Sequence, residues 1–199
     1  MAREDAVNLL TSTTDLAITE RMFGETPWIF ERDVGAFNEW RQDVADATAC
    51  EAEGVYVVGS AMFGYSLSPD KPGRPFRRGG FNQHERSDID VVIVSGRLFA
   101  DTWDALLHAD KAGLLGGTPA GRDKVRTDLY WGHITNTTVP GGTPPARSLR
   151  VAMSATTSRA PFRGHVAKAR VYRRREDVVN YHVQSLRELR RTLRVEVAQ

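Results

Sequence analysis

Two acidic residues at the start of an apolar run offer the clearest chemistry in this sequence. Asp88 and Asp90 stand two residues apart, and the run Ile89–Val94 has the composition of a buried strand. Because side chains at i and i+2 project from the same face of a strand, the two carboxylates would lie side by side. Such a pair suits Mg²⁺, which binds a few carboxylates together with water and substrate phosphates. The alternative is that both acids simply cap the solvated end of a strand.

A glycine-serine turn ends an earlier apolar run. Val55–Val58 leads directly into Gly59 and Ser60, and Gly64 follows one helical turn later. If the strand passes straight into a helix, the first N–H groups of that helix and the Ser60 hydroxyl can hold phosphate oxygens. A glycine at 59 would let the backbone approach a phosphate closely. Such turns are common by themselves, but together with the acid pair this one predicts a metal–triphosphate site.

The order of these features resembles the polymerase-β-like nucleotidyltransferase superfamily, in its small bacterial-type members. The resemblance covers residues 54–110 and rests on Gly59, Ser60, Gly64 and the acid pair within SDIDVVIV. It implies a mixed sheet flanked by helices, and transfer of a nucleoside monophosphate from an NTP to a hydroxyl group.

The same resemblance implies a role for each motif residue. Asp88 and Asp90 would be catalytic and would hold two Mg²⁺ ions, one lowering the pKa of the attacking hydroxyl and one steadying the leaving pyrophosphate. Gly59 and Ser60 would bind the β- and γ-phosphates of the nucleotide.

A third carboxylate, which this family supplies from a later strand, is the missing part of the resemblance. Asp128 is the candidate, but only if residues 125–131 form a strand. The strand predicted over 166–172 offers Lys168 and Arg170 where an acid is expected. Without a third acid the protein would be slow, would take an acid from a partner, or would only bind nucleotides.

The segment between the two motifs is longer than is usual in this family, and it is basic. Residues 67–86 contain three prolines and three glycines. The cations of this segment are Lys71, Arg74, Arg77, Arg78 and Arg86. Long loops inside compact domains tend to be functional or disordered. We interpret this one as a lid over a triphosphate or a contact for a nucleic-acid backbone; a mobile insertion without a role is the alternative.

The elements around these motifs predict an α+β fold with a C-terminal helix, and the resemblance implies that its core is nucleotidyltransferase-like, a mixed sheet flanked by helices. We expect one domain over 1–199, with N-terminal helices in 1–34, the core in 35–135 and a basic strand–helix extension in 136–199. Hydrophobic periodicity predicts two short helices in the first thirty residues, a helix that begins at residue 35, and helices over 97–110 and 176–194. It predicts strands over 149–155 and 166–172. Residues 123–134 fit either a helix or a strand.

Charge is distributed unevenly along the 199 residues, although the net charge is only +2. Residues 144–199 carry 13 Lys or Arg and four acids, a net charge of +9, which leaves −7 for residues 1–143. A basic C-terminal third, with three consecutive arginines at 173–175, indicates a phosphate-bearing partner such as RNA. The alternative is that these arginines pair with the acidic part of the same chain.

Other features narrow the class of protein. The 41% of hydrophobic residues supports a proper core, and no apolar run reaches the roughly 20 residues that span a bilayer. The charged N-terminus lacks the apolar region of a signal peptide, so we expect a cytoplasmic protein without a membrane partner. Cys50, the single cysteine, and His182 are predicted to be core residues. Walker A, G-x-G-x-x-G and G-x-S-x-G motifs are absent, which argues against a kinase, a dinucleotide enzyme and an α/β-hydrolase.

The sequence therefore predicts a Mg²⁺-dependent nucleotidyltransferase that acts on an unidentified acceptor: tRNA or other RNA, a protein side chain, a small molecule, or another nucleotide. The alternative is a non-catalytic module of the same fold that binds nucleic acid or a partner protein through its basic C-terminal third. The Asp88 and Asp90 pair favours the enzyme, since a module without catalysis has little physical reason to keep two carboxylates beside a phosphate-sized turn.

Overall fold

A four-stranded mixed sheet forms the centre of the fold in a computed structural model, which describes residues 2–78, 86–114 and 119–194. The strands are β1 (Val55–Val58), β2 (Ile89–Val94), β3 (His133–Thr135) and β4 (Ala167–Tyr172). Their spatial order is β1-β2-β4-β3, with β2 and β4 parallel and the two outer pairs antiparallel. This mixed sheet, flanked by helices and followed by a C-terminal helix, confirms the predicted fold class.

Eight α-helices surround the sheet in the described ranges. They are α1 (Ala2–Ser12), α2 (Asp15–Gly24), α3 (Val34–Thr48), α4 (Ser60–Phe63), α5 (Gly96–Lys111), α6 (Pro119–Tyr130), α7 (Pro144–Ser158) and α8 (Arg175–Leu193). The side chains of Thr14, Asp33 and Ser95 cap α2, α3 and α5 by accepting backbone N–H groups. Of the helices in these ranges, none has the length and apolarity needed to cross a membrane.

The sheet is covered on both faces, which explains why β2 is apolar along most of its length. On one face Ile89, Val91 and Ile93 belong to a core cluster that includes residues of α3 and α7. On the other face Val92 packs in a cluster with residues of α2 and α8. Asp90 has the same parity as Val92 along β2, so its side chain points to the α2–α8 face.

The strand predicted over 149–155 is wrong, because these residues lie within α7. The buried positions of α7 include Leu149, Ala152, Met153 and Thr156, a helical stripe that extends past the predicted segment. Prolines in the first turn suit a helix N-terminus, where their missing N–H groups cost nothing. A short apolar segment by itself does not separate a strand from one face of a helix.

The ambiguous segment 123–134 contains both kinds of element. Residues up to Tyr130 are helical in α6, and the short strand β3 begins at His133. Gly132 makes the turn between them with a φ of 72°, and a Cβ at this position would lie 2.5 Å from the Asp177 carboxyl carbon. Both the left-handed backbone and the close approach to α8 therefore require glycine.

Candidate active site

The two sequence motifs meet where the end of β1 adjoins the start of β2. Val58 pairs with Asp90 in the antiparallel ladder, so the residue that follows β1 lies beside the acid pair. Asp88 immediately precedes β2 and its side chain is 43% exposed, whereas that of Asp90 is 31% exposed. The structure thus brings Gly59 and Ser60 together with both acids, as the motif order predicts.

Gly59 occupies a position that other residues do not tolerate. Its φ of 67° and ψ of −145° fall in a region that is essentially restricted to glycine. A Cβ on this residue would also lie 3.2 Å from Oδ2 of Asp90. Ser60 then opens the four-residue helix α4, which ends at Gly64 with a φ of 82°. The positive φ at residues 59 and 64 therefore explains why the motif has a glycine at each of these positions.

A cavity of about 530 Å³ lies against both motifs. It is lined by Gly59, Ser60, Asp88 and Asp90, and its lining also includes Tyr181 on α8. Of the described residues, the cations that line it are Lys71, Arg74, Arg77, Arg86 and Arg170, and the acids are Asp70, Asp88 and Asp90. This excess of positive charge favours an anionic ligand.

The first part of the long basic loop is folded over this cavity. Backbone hydrogen bonds join Ser66 N to Arg74 O at 2.8 Å and Phe76 N to Gly64 O at 2.8 Å. They hold the loop as a narrow hairpin that carries Lys71 and Arg74 at the cavity wall. Residues 79–85 of the predicted loop lie outside the described part of the chain.

Arg78, the fourth cation of the predicted lid, is not among the residues that line the cavity. Its guanidinium lies 4.5 Å from the centre of the Trp28 ring and pairs with Glu31. The loop therefore places Lys71, Arg74 and Arg77 at the cavity wall, whereas Arg78 lies outside the cavity.

Each carboxylate of the acid pair forms an ion pair with a cation from β4. In the parallel register Lys168 lies opposite Asp90, and its ammonium forms an ion pair with Asp88. Arg170, two residues along the same face, places Nη2 at 3.6 Å from Oδ1 of Asp90. The strand position at which the resemblance expects an acid therefore carries a lysine.

Burial and the nearby cations shift the pKa of Asp90 in opposite directions. Burial raises the pKa of the Asp90 carboxyl above its usual value, although Arg170 and Lys168 act to lower it. Burial also acts to lower the pKa of Arg170, but Asp90 and neighbouring phenols raise it, so that the guanidinium stays charged. Arg170 is thus a permanent cation fixed at the innermost carboxylate of the site.

Asp128 does not supply the third carboxylate in the way that the sequence suggested, because it lies on helix α6 rather than on a strand. It does not line the cavity, and it is engaged elsewhere: Lys124 Nζ lies 2.6 Å and Thr135 Oγ1 2.9 Å from its Oδ2, and His133 Nε2 lies 3.4 Å from its Oδ1. Burial acts to raise the pKa of Asp128, but hydrogen bonds from His133, Lys124 and Thr135 lower it to about 2.

His182 is buried, as predicted, and it also lines the cavity. Burial lowers its pKa to about 3, with smaller contributions from Arg170 and His133, so the imidazole is neutral at pH 7. The neighbouring Tyr181 ring lies 5.3 Å from His182 and 5.7 Å from the Arg170 guanidinium.

Sequence reasoning missed part of the α8 wall. Tyr181 and Ser185 lie one helical turn apart and both line the cavity. Their sequence signal is weak, because polar residues that flank the apolar stripe of a helix are usually only solvent-exposed.

The basic C-terminal segment pairs extensively with acids of the preceding part of the chain. Among the described residues, the pairs that join the range 144–199 to the range 1–143 include Arg159–Asp43, Lys168–Asp88, Arg170–Asp90, Arg175–Glu20 and Arg190–Asp15. Arg173 and Arg174 pair with Asp177 within the segment. This geometry favours the intramolecular alternative for the uneven charge distribution.

The donor atoms at the acid pair are of the kind that bind a divalent cation. Asp88 and Asp90 would supply oxygen ligands and a bound phosphate would supply others, which is the ligand set that Mg²⁺ prefers. No group of three or more His, Cys, Asp or Glu residues in the described ranges is arranged to hold a metal ion, so the site offers two carboxylates rather than a complete protein cage.

In comparisons with known proteins, no family model, curated protein or solved structure matches this chain. The resemblance to nucleotidyltransferases therefore rests on the motif residues and on their arrangement around one cavity.

Proposed function

We propose that the protein is a divalent-metal-dependent nucleotidyltransferase that moves a nucleoside monophosphate from an NTP to an acceptor hydroxyl. The observation that carries the proposal is the contact between the Gly59 turn and Asp90 at the wall of a cation-lined cavity. A tight turn beside paired carboxylates suits a phosphate group that shares a cation with those carboxylates. The cavity volume, about 530 Å³, lies within the range of small-molecule sites.

The residues of the cavity divide the work of binding a triphosphate. Gly59 and Ser60 contact the β- and γ-phosphates at the turn, and Lys71, Arg74 and Arg77 neutralise their charge from the loop. Positioning and charge stabilisation of this kind provide most of the catalysis in phosphoryl-type transfers.

Asp88 and Asp90 would hold Mg²⁺, which when bound screens the phosphate charge and lowers the pKa of the acceptor hydroxyl. In the reaction the acceptor oxygen forms a bond to the α-phosphorus while the bond from that phosphorus to the α,β-bridging oxygen breaks. Pyrophosphate leaves with the electron pair of the broken bond, and the hydroxyl proton passes to solvent.

The acceptor reaches the site from the side of Asp88, whose side chain is 43% exposed. RNA, a protein side chain and a small molecule all offer a suitable hydroxyl, so the assay has to include each class. An RNA acceptor would meet a surface whose arginines at 173–175 are already paired within the chain.

The decisive experiment incubates the protein with each of the four labelled NTPs, with Mg²⁺ or Mn²⁺, and with RNA, protein and small-molecule acceptors. Asp88→Asn and Asp90→Asn should abolish label transfer and pyrophosphate release. Asp104→Asn, at an exposed position on α5, is the matched control and should behave like the wild type.

Equal behaviour of the wild type and both site variants would contradict the proposal. If RNA binding with a steep salt dependence persisted in all of these proteins, the non-catalytic module would be favoured instead.

A further inference from the structure

The position of Lys168 is set by the register of the two central strands. Because β2 and β4 are parallel and Lys168 pairs with Asp90, both side chains leave the sheet on the same face at the same level. The Lys168 ammonium contacts Asp88, and Arg170 lies 3.6 Å from Asp90, so each carboxylate of the acid pair has its own cation. Lys71 lines the same cavity as Asp88 and Asp90.

These cations change what the acid pair can hold. Two divalent ions side by side need anionic ligands that outweigh their mutual repulsion, and here part of the carboxylate charge is already balanced by β4. Arg170 lies 3.6 Å from Asp90 and a guanidinium does not lose its proton in proteins, so any ion placed beside Asp90 lies near a fixed positive charge. A single divalent ion, together with the side-chain cations, matches the charge of a triphosphate better than two ions do.

We propose that this site binds one divalent cation and that the Lys168 ammonium supplies the second positive charge to the triphosphate. The inference rests on the proposed function and assigns Lys168 as a nucleotide-binding residue on the strand where the resemblance expects an acid. Lys168 is not itself among the residues that line the cavity, but it contacts Asp88, which does line it. Arg170 acts as a positioning residue, because it holds Asp90 rather than the nucleotide.

The exposure of the two ion pairs supports this division of roles. The side chains of Lys168 and Asp88 are 45% and 43% exposed, and ion pairs so open to solvent contribute little to stability. The ammonium can therefore leave Asp88 for a phosphate oxygen at small cost. Arg170 is more buried, with 27% of its side chain exposed, and a cation in such surroundings exchanges partners less readily.

The test is the number of Mn²⁺ ions bound per chain, measured by electron paramagnetic resonance of free Mn²⁺ with the full chain and an α,β-methylene NTP analogue. We expect one ion in the wild type. Lys168→Asp, which places a carboxylate opposite Asp90, should bind a second ion.

Two further variants of Lys168 test whether its positive charge is what binds the analogue. Lys168→Gln should still bind one ion but should weaken analogue binding by about tenfold or more, as expected for a lost charge-assisted hydrogen bond. Lys168→Arg should restore most of that affinity. Lys111→Gln, which removes an exposed lysine at the end of α5, should leave both the ion count and the affinity unchanged.

Two Mn²⁺ ions per wild-type chain, or unchanged analogue affinity in Lys168→Gln, would overturn the inference and leave the proposed transferase standing. If the wild type bound neither Mn²⁺ nor the analogue, both proposals would fall. The ion count and the analogue affinity do not depend on the acceptor, so the experiment tests the inference before the acceptor is known.

Discussion

Gly59 and Asp90 approach each other so closely that a Cβ on residue 59 would lie 3.2 Å from Oδ2 of the carboxylate. The contact arises because Val58 pairs with Asp90 in the antiparallel ladder, which places the next residue of the chain against the acid. With a φ of 67°, Gly59 also turns the backbone out of the strand and into α4. One residue thus couples the direction of the turn to the position of the acid.

Replacing this glycine should therefore damage both the fold and the chemistry. Gly59→Ala should lower the free energy of unfolding by about 1–3 kcal/mol, since alanine rarely adopts this backbone conformation. It should also reduce nucleotidyl transfer by at least about tenfold, because a displaced carboxylate loses its catalytic geometry. Urea unfolding and the labelled-NTP assay measure the two effects.

Gly24→Ala is the matched control, because a Cβ at residue 24 meets no atom within 4 Å and its backbone is not left-handed. This variant should match the wild type in both measurements. A Gly59→Ala protein with wild-type stability and activity would show that the turn and Asp90 are not coupled.

The hairpin over the cavity predicts that neighbouring cations differ in their effect on nucleotide binding. Lys71→Gln, Arg74→Gln and Arg77→Gln should each raise the KM for NTP several-fold, with smaller changes in kcat, because each removes a positive charge from the cavity wall. The increase should shrink at high salt, since part of the attraction is screened. Initial rates at varied NTP concentration and at two ionic strengths provide the measurement.

Arg78→Gln tests whether position matters rather than total charge. Its guanidinium lies over Trp28 beside Glu31, so the KM should remain close to that of the wild type. An increase as large as that of Arg77→Gln would mean that the loop acts through its overall charge and not through the side chains at the cavity.

Local patterns in the sequence were sufficient to locate the acid pair and the turn. Alternation in β4 and the apolar runs of β1 and β2 indicate strands, and helical stripes indicate α3, α5 and α8. The position of Gly59 beside Asp90 then follows from antiparallel pairing of two strands that are adjacent along the chain.

Pairings between distant residues were not accessible in this way. Lys168 lies opposite Asp90 because β4 pairs with β2 across about 80 residues, and nothing local sets that register. Residues 149–155 have the apolar content of a strand, and the helical stripe to which they belong is evident only over the longer range of α7. Residues 125–131 alternate in a way that would place Asp128 on a strand, but alternation over so few residues also fits a helix, which is the element that forms.

Asp128 should contribute to stability rather than to catalysis. Its pKa in the folded protein, about 2, is below the ordinary value of 3.8, so its stabilising contribution is present above about pH 4 and is lost as the pH falls through 2. The shift corresponds to about 2 kcal/mol at pH 7. Asp128→Asn should therefore lower the free energy of unfolding by about that amount and leave nucleotidyl transfer within about twofold of the wild type.

Urea unfolding of Asp128→Asn and the wild type at pH 7 and at pH 2.5 checks this, since the difference between the two proteins should shrink in acid. Asp123→Asn, at an exposed position on the same helix, controls for the loss of a charge. A large loss of activity with unchanged stability would instead return Asp128 to the role of a third catalytic carboxylate.

His182 should make the protein less stable as the pH falls below neutrality. Its pKa is about 3 in the folded protein against an ordinary 6.5, so between these values the unfolded chain binds a proton that the folded chain does not. The free energy of unfolding therefore decreases as the pH falls across this window, by up to about 1.4 kcal/mol per pH unit.

His182→Phe removes the titrating imidazole. It breaks no hydrogen bond of Nε2, because this atom is buried without a hydrogen-bond partner in the described part of the chain. The variant should lie within about 1.5 kcal/mol of the wild type at pH 7 and become relatively more stable at pH 5. Urea unfolding at both pH values gives the comparison, and His108→Gln, at an exposed position on α5, serves as the control. Parallel losses of stability in wild type and His182→Phe between pH 7 and pH 5 would mean that burial does not keep this imidazole neutral.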